Sequence, residues 1–210
     1  MDVVIIGAGG HGKVVAEILR AAGEHRVVGF LDADPRLAGT TVASLPVLGP
    51  VNQLGKLRQA KKARGAIVAI GDARVRRGYA AEVRAAGLEL VNAIHPAASV
   101  AASAKVGSGV VIAAGAVVSA EASIGDHAIV NTSAAVDHEC VIGEGVHLAP
   151  GAVLAGRVKV EPDAFIGLGA RVIQCLTIGA AAIVGAGAVV IRDVPAGAKV
   201  VGVPARPLGA

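Results

Sequence analysis

The chain has 210 residues, 54% of them hydrophobic but only 1% aromatic, so a core must come from Val, Ile, Leu and Ala, which suit thin repetitive β layers. The formal charge of +4 is uneven: residues 1–95 hold 13 basic against 8 acidic side chains and residues 96–210 hold 7 against 8, which places an anionic ligand on the first part. The basic residues are not interleaved with stacking aromatics, and no run of about 18 apolar residues or basic leader is present, so the reading is a cytoplasmic protein with no nucleic-acid or membrane partner.

Residues 3–6, Val-Val-Ile-Ile, predict a buried strand, and Gly7, Gly9 and Gly12 follow it in a G-x-G-x-x-G spacing that opens a helical run from Lys13 to Ala22. A second strand, Val27–Leu31, ends at Asp32, twenty residues past Gly12. Glycine N–H groups at a helix start receive phosphate, and a carboxylate at a strand end takes ribose or base hydrogen bonds. A strand at Ala66–Ile70, a helix near Arg74–Ala86 and a strand at Leu88–Ile94 then complete the domain. No room remains for a second mononucleotide half, so residues 1–95 read as a small Rossmann-like α/β domain that does not bind NAD. Asp34 and the Arg74, Arg76 and Arg77 cluster read as solvated surface, and Asp34–Pro50 reads as loop.

From Val100 to Val190 every sixth residue is aliphatic, sixteen positions in succession, and the residue four places after each is nearly always Ala or Val. The two positions lie two apart across each hexad boundary, as in Ala104 and Val106, so both point to one side of a short strand. Gly and polar residues between them, as in Gly107-Ser108-Gly109, suit corners. Such a period builds a parallel β-helix, and three hexads per turn give about five coils, a prism roughly 25 Å long at a strand spacing of ~4.8 Å. Cys140 and Cys175 have no metal spacing and read as buried thiols.

One hexad carries chemistry. His138 and Glu139 take its third and fourth places and fall at an exposed corner, where a carboxylate can orient an imidazole for proton abstraction. Period 18 stacks Gly156 over His138, roughly 5 Å away. Leu168 and Ala186 share a different corner, His147 projects from a flat face, and His127 lies at a third corner as a structural residue. Carbonic anhydrase chemistry would need three zinc-binding histidines; His127, His138 and His147 differ in hexad position and could meet only if a trimer united them, and no metal is expected.

The hexads, with the ending Asp193-Val194-Pro195-Ala196-Gly197 and Val200-Val201-Gly202-Val203-Pro204-Ala205-Arg206, resemble the hexapeptide acyltransferases over residues 96–206. With the glycine loop added, the whole chain is similar to the bacterial sugar O- and N-acyltransferases, typified by sialic-acid O-acetyltransferase and UDP-4-amino-sugar (bacillosamine pathway) N-acetyltransferase. The resemblance implies a left-handed β-helix over residues 96–210, a homotrimer, acetyl-CoA as co-substrate, and a nucleotide-linked sugar held by Gly9, Gly10, His11, Asp32 and Gly71. It further implies His138 as general base, Glu139 as its partner and the Gly156 N–H as oxyanion donor, with His147, Asn131, Leu168 and Ala186 contacting acetyl-CoA. The expected reaction is acetylation of the amino group of a 4-amino-4,6-dideoxy sugar. O-acetylation of a sugar hydroxyl and a noncatalytic nucleotide-sugar-binding subunit stand as alternatives.

Overall fold

The structure, a computed structural model, describes residues 1–208 and divides into two compact units, Met1–Pro96 and Ala97 onward. The first contains β1 (Asp2–Ile6), α1 (Gly10–Ala22), β2 (Arg26–Leu31), β3 (Thr41–Val42), β4 (Leu45–Gly49), α2 (Leu54–Gln59), β5 (Gly65–Val68), α3 (Ala73–Ala85) and β6 (Glu89–Leu90). Its sheet runs in the order β3-β4-β2-β1-β5-β6, parallel except between β3 and β4. Val3, Val4, Ile5 and Ile6 of β1 are fully buried, as a central parallel strand covered on both faces requires. Helix α1 turns Val15, Ala16, Ile18 and Leu19 inward at helical spacing and closes at Gly23, whose left-handed backbone lets its N–H donate to the Leu19 carbonyl.

A side chain at Gly12 would collide with the Gly7 carbonyl oxygen, so the glycines allow α1 to start pressed against the end of β1. Two expectations for this unit need correction. The Asp34–Pro50 segment is not loop throughout: Leu45–Gly49 joins the sheet in parallel to β2, with Pro46 paired only to the short outer strand β3. Pro46 masks the strand in the sequence because a proline inside a run normally argues against one. The expected strand Leu88–Ile94 is two short pieces, Glu89–Leu90 and Ala93–Ile94.

The second unit is a left-handed parallel β-helix with a two-residue strand in each hexad. Strands pair in parallel with their counterparts 18 residues on, so that Val118, Val136, Leu154, Val172 and Val190 stack in one row. Ile112, Val130, Leu148, Ile166 and Val184 form the row of a second sheet, and Ile124, Ile142, Val160 and Ile178 that of a third. All of these side chains are at most 3% exposed. The fourth residue of successive hexads takes a left-handed backbone whether or not it is glycine, including Ser133, Glu139, Arg157 and Cys175. Such a conformation costs a non-glycine residue roughly 1–2 kcal/mol. Burying one aliphatic side chain per hexad contributes about 1.5–3 kcal/mol, enough to hold the corner.

Cys140 occupies a fifth hexad position and is buried, but Cys175 occupies a fourth and is exposed. The expectation of two buried thiols therefore holds only for Cys140. Among the described residues no helix is long and apolar enough to cross a membrane.

Candidate active site

His138 and Glu139 lie at the corner that follows the strand Ala135–Val136. The Asp137 carboxylate accepts the His138 backbone N–H at 2.7 Å and fixes the turn. Glu139, in its left-handed conformation, brings Oε2 to 2.9 Å from His138 Nδ1, and both side chains are half exposed. An ionised carboxylate only accepts, so in this contact a neutral imidazole carries its proton on Nδ1 and presents its lone pair at Nε2. Nε2 faces the next coil: a side chain at Gly156 would run into it. The Arg157 N–H donates to the His138 carbonyl at 2.9 Å and locks that stacking. The Gly156 N–H meets no acceptor among the described residues. The imidazole of an exposed histidine and a buried glycine of the next coil thus adjoin at one corner.

Asn131, Leu168 and Ala186 lie at a different edge, the corner between the sheet of Ile129–Val130 and that of Ala135–Val136. The Gly187 N–H donates to the Leu168 carbonyl at 2.8 Å, which stacks Leu168 and Ala186 on successive coils, and Leu168 is 58% exposed. His147 projects from the adjoining face, where Asn131 Nδ2 lies 3.3 Å from its Nε2 and Phe165 meets its ring edge-on at 5.2 Å. Phe165 escaped the sequence reading. Its signal was there: it follows His147 by 18 residues at the same outward hexad position. Within one chain, therefore, the His138–Gly156 edge and the Asn131–Leu168 edge are separated by a prism face. His127 is 1% exposed and sits in a corner turn.

In the first unit Gly9, Gly10, His11, Asp32 and Gly71 line one cleft of about 380 Å³, a size suited to a small ligand. Asp32 Oδ2 accepts the Ala8 N–H at 2.7 Å and Oδ1 the Asp34 N–H at 2.8 Å, so its carboxylate anchors the glycine loop. Helix α1 has no side-chain cap at Gly9, which leaves its positive end open to an anion. Burial, reinforced by the charge of Arg76, pushes the His11 imidazole down to about 4, so it is neutral near pH 7. Val51, Val75 and Tyr79 complete the apolar wall and were missed, because nothing in their local pattern separates them from ordinary packing residues. The arginine cluster needs correction as well: Arg74 is exposed but Arg76 is wholly buried, because α3 turns it inward beside Ala80 and Val83. Asp34 stays at the surface, paired with Arg36 at 2.6 Å.

Residues 2–83 match the PglD N-terminal domain family. A histidine-to-asparagine variant of perosamine N-acetyltransferase from Caulobacter crescentus, solved with CoA and GDP-perosamine, is 48% identical and superposes with a TM-score of 0.95, covering 100% of this chain and 98% of that one. The acetyltransferase domain of PglB from Neisseria gonorrhoeae, in complex with acetyl coenzyme A, is 41% identical with a TM-score of 0.91, over 99% and 98% of the two chains. The UDP-N-acetylbacillosamine N-acetyltransferase of Bacillus subtilis is 38% identical over 113 residues, 54% of this chain and 51% of that protein, so the match spans about half the length of that relative. The chain belongs to the hexapeptide-repeat sugar N-acetyltransferases.

Proposed function

We propose that the protein transfers the acetyl group of acetyl-CoA to the amino group of a nucleotide-linked 4-amino-4,6-dideoxy sugar. The observation that carries this reading is the corner where His138 Nε2, freed by the Nδ1–Glu139 contact of 2.9 Å, adjoins Gly156. The sugar amine attacks the thioester carbonyl, the new C–N bond forms, and the oxyanion is held by the Gly156 N–H. His138 takes the proton that the nitrogen loses and returns it to the departing CoA sulfur as the C–S bond breaks. Gly9, Gly10 and the open end of α1 receive the diphosphate, with His11, Asp32 and Gly71 around the nucleotide. His147, Asn131, Leu168 and Ala186 hold acetyl-CoA. An amine acceptor is favoured over a hydroxyl because perosamine N-acetyltransferase and UDP-N-acetylbacillosamine N-acetyltransferase are among the relatives that match.

The working form is a cytoplasmic homotrimer. The trimer is supported by His138 and the residues proposed to hold acetyl-CoA lying on two edges of one prism, which a neighbouring copy would bring together. Release of CoA thiol from acetyl-CoA, followed with GDP- and UDP-linked 4-amino-4,6-dideoxy sugars and with sialic acid, tests the reaction. Turnover with an amino sugar is expected; turnover with the hydroxyl acceptor alone, or with none, refutes it. Sedimentation equilibrium tests the assembly, which a fully active monomer would overturn.

A further inference from the structure

The proposed reading uses the glycine loop, His11 and Asp32, but it leaves unexplained a cation enclosed beneath the same cleft. Arg76 has no exposed surface. A guanidinium keeps its proton at any physiological pH, and enclosing it carries a large desolvation cost unless its donors are satisfied. Two of its donors are accounted for by Nη1, which donates to two successive carbonyls, Ile70 at 2.6 Å and Gly71 at 2.8 Å. Ile70 and Gly71 both line the cleft, and Ile70 lies against Gly7 of the glycine loop. Simple packing in this position would call for an aliphatic side chain, as at Ala80 and Val83 on the same helix.

We infer that Arg76 is a positioning residue for the diphosphate of the ligand: its Nη1 ties together the Ile70–Gly71 wall, and its charge, shielded from solvent, adds to the positive end of α1. The inference rests on the proposed nucleotide-sugar reading of the cleft. Two consequences follow from the geometry. Engaging two successive carbonyls ties down the main chain of the wall that the diphosphate would meet. A charge buried in a poorly screening interior also acts over a greater distance than an exposed lysine. That the same charge reaches His11 is consistent with this placing, since it helps to keep that imidazole neutral.

Arg76→Met and Arg76→Lys in the full-length protein test the inference by calorimetry with GDP, UDP and their nucleosides, alongside steady-state kinetics. Arg76→Met is expected to weaken nucleoside diphosphate binding by about tenfold or more and nucleoside binding by less than about threefold. KM for the nucleotide sugar should rise, with kcat and KM for acetyl-CoA nearly unchanged, and the His11 ring signal should titrate at higher pH. Arg76→Lys keeps the charge but not the planar guanidinium that reaches both carbonyls, and should restore part of the diphosphate affinity. Should Arg76→Met fail to fold, Arg76→Lys decides alone: weaker diphosphate binding with nucleoside binding retained supports the role. Equal loss for nucleoside and diphosphate, or no loss in a folded variant, overturns it. If the unaltered protein binds neither diphosphate, the reading of the cleft itself fails and the inference falls with it.

Discussion

The imidazole of His138 fills the space that a side chain at Gly156 would need, across one coil of the β-helix. Gly156 does not have a left-handed backbone, so alanine would fit its main chain, and the clash falls on the histidine alone. Gly156→Ala should leave the fold and the oligomeric state intact while displacing Nε2. A displacement of about 1 Å typically costs ~10²-fold in rate, and a fall in kcat of roughly 10–10² is expected. A variant with unaltered kcat would show that the imidazole moves aside without consequence.

His138→Ala should lower kcat by about 10²–10⁴, the range of general-base catalysis, with acetyl-CoA binding nearly unchanged. Glu139→Gln should have a smaller effect, because it weakens the hold on Nδ1 without removing the base. Substrate affinity measured alongside turnover separates a lost base from lost binding. If His138→Ala keeps more than about a third of the kcat at neutral pH, the assignment passes to His147 or to the substrate itself.

Asp32→Ala removes the acceptor of both the Ala8 and the Asp34 N–H groups. Leaving such donors without partners costs about 1–3 kcal/mol, so the urea midpoint should fall accordingly. Nucleotide affinity should drop by about tenfold or more, since the glycine loop loses its anchor. Unchanged stability would mean that water replaces the carboxylate without cost.

His11 gives the fold a dependence on pH. Its imidazole is held at about 4 in the native state against about 6.5 when unfolded, so between these values the unfolded chain binds more protons. Stability from the neutral ring is fully present above pH 6.5 and is lost as pH falls toward 4, by at most roughly 3 kcal/mol. His11→Asn should therefore lose less stability than the unaltered protein over that interval in urea titrations. Parallel pH profiles for the two proteins would contradict the burial of a neutral ring.

How far a feature could be read depended on how local its cause is. The β-helix was written hexad by hexad, because each inward side chain packs against counterparts 18 residues away and the corners from Gly109 to Gly187 repeat the same backbone conformation. The meeting of His138 and Gly156 follows from that period, and so does the contact of His147 with Phe165, although only the first was drawn from it. The glycine loop and Asp32 were legible because a strand, a tight turn and a helix start require them in sequence. By contrast, Arg74, Arg76 and Arg77 look alike on one helical turn, and only the packing of α3 on its sheet decided which would be enclosed. The strand Leu45–Gly49 likewise depended on β2 being there to receive it, against the local vote of Pro46. The repeat, the glycine loop and the histidine corner follow from the order of residues along the chain, because their contacts recur at fixed spacings. Tertiary structure alone decided the buried cation, the walls of the cleft and the extra strand, because each depends on partners brought close by long-range pairing.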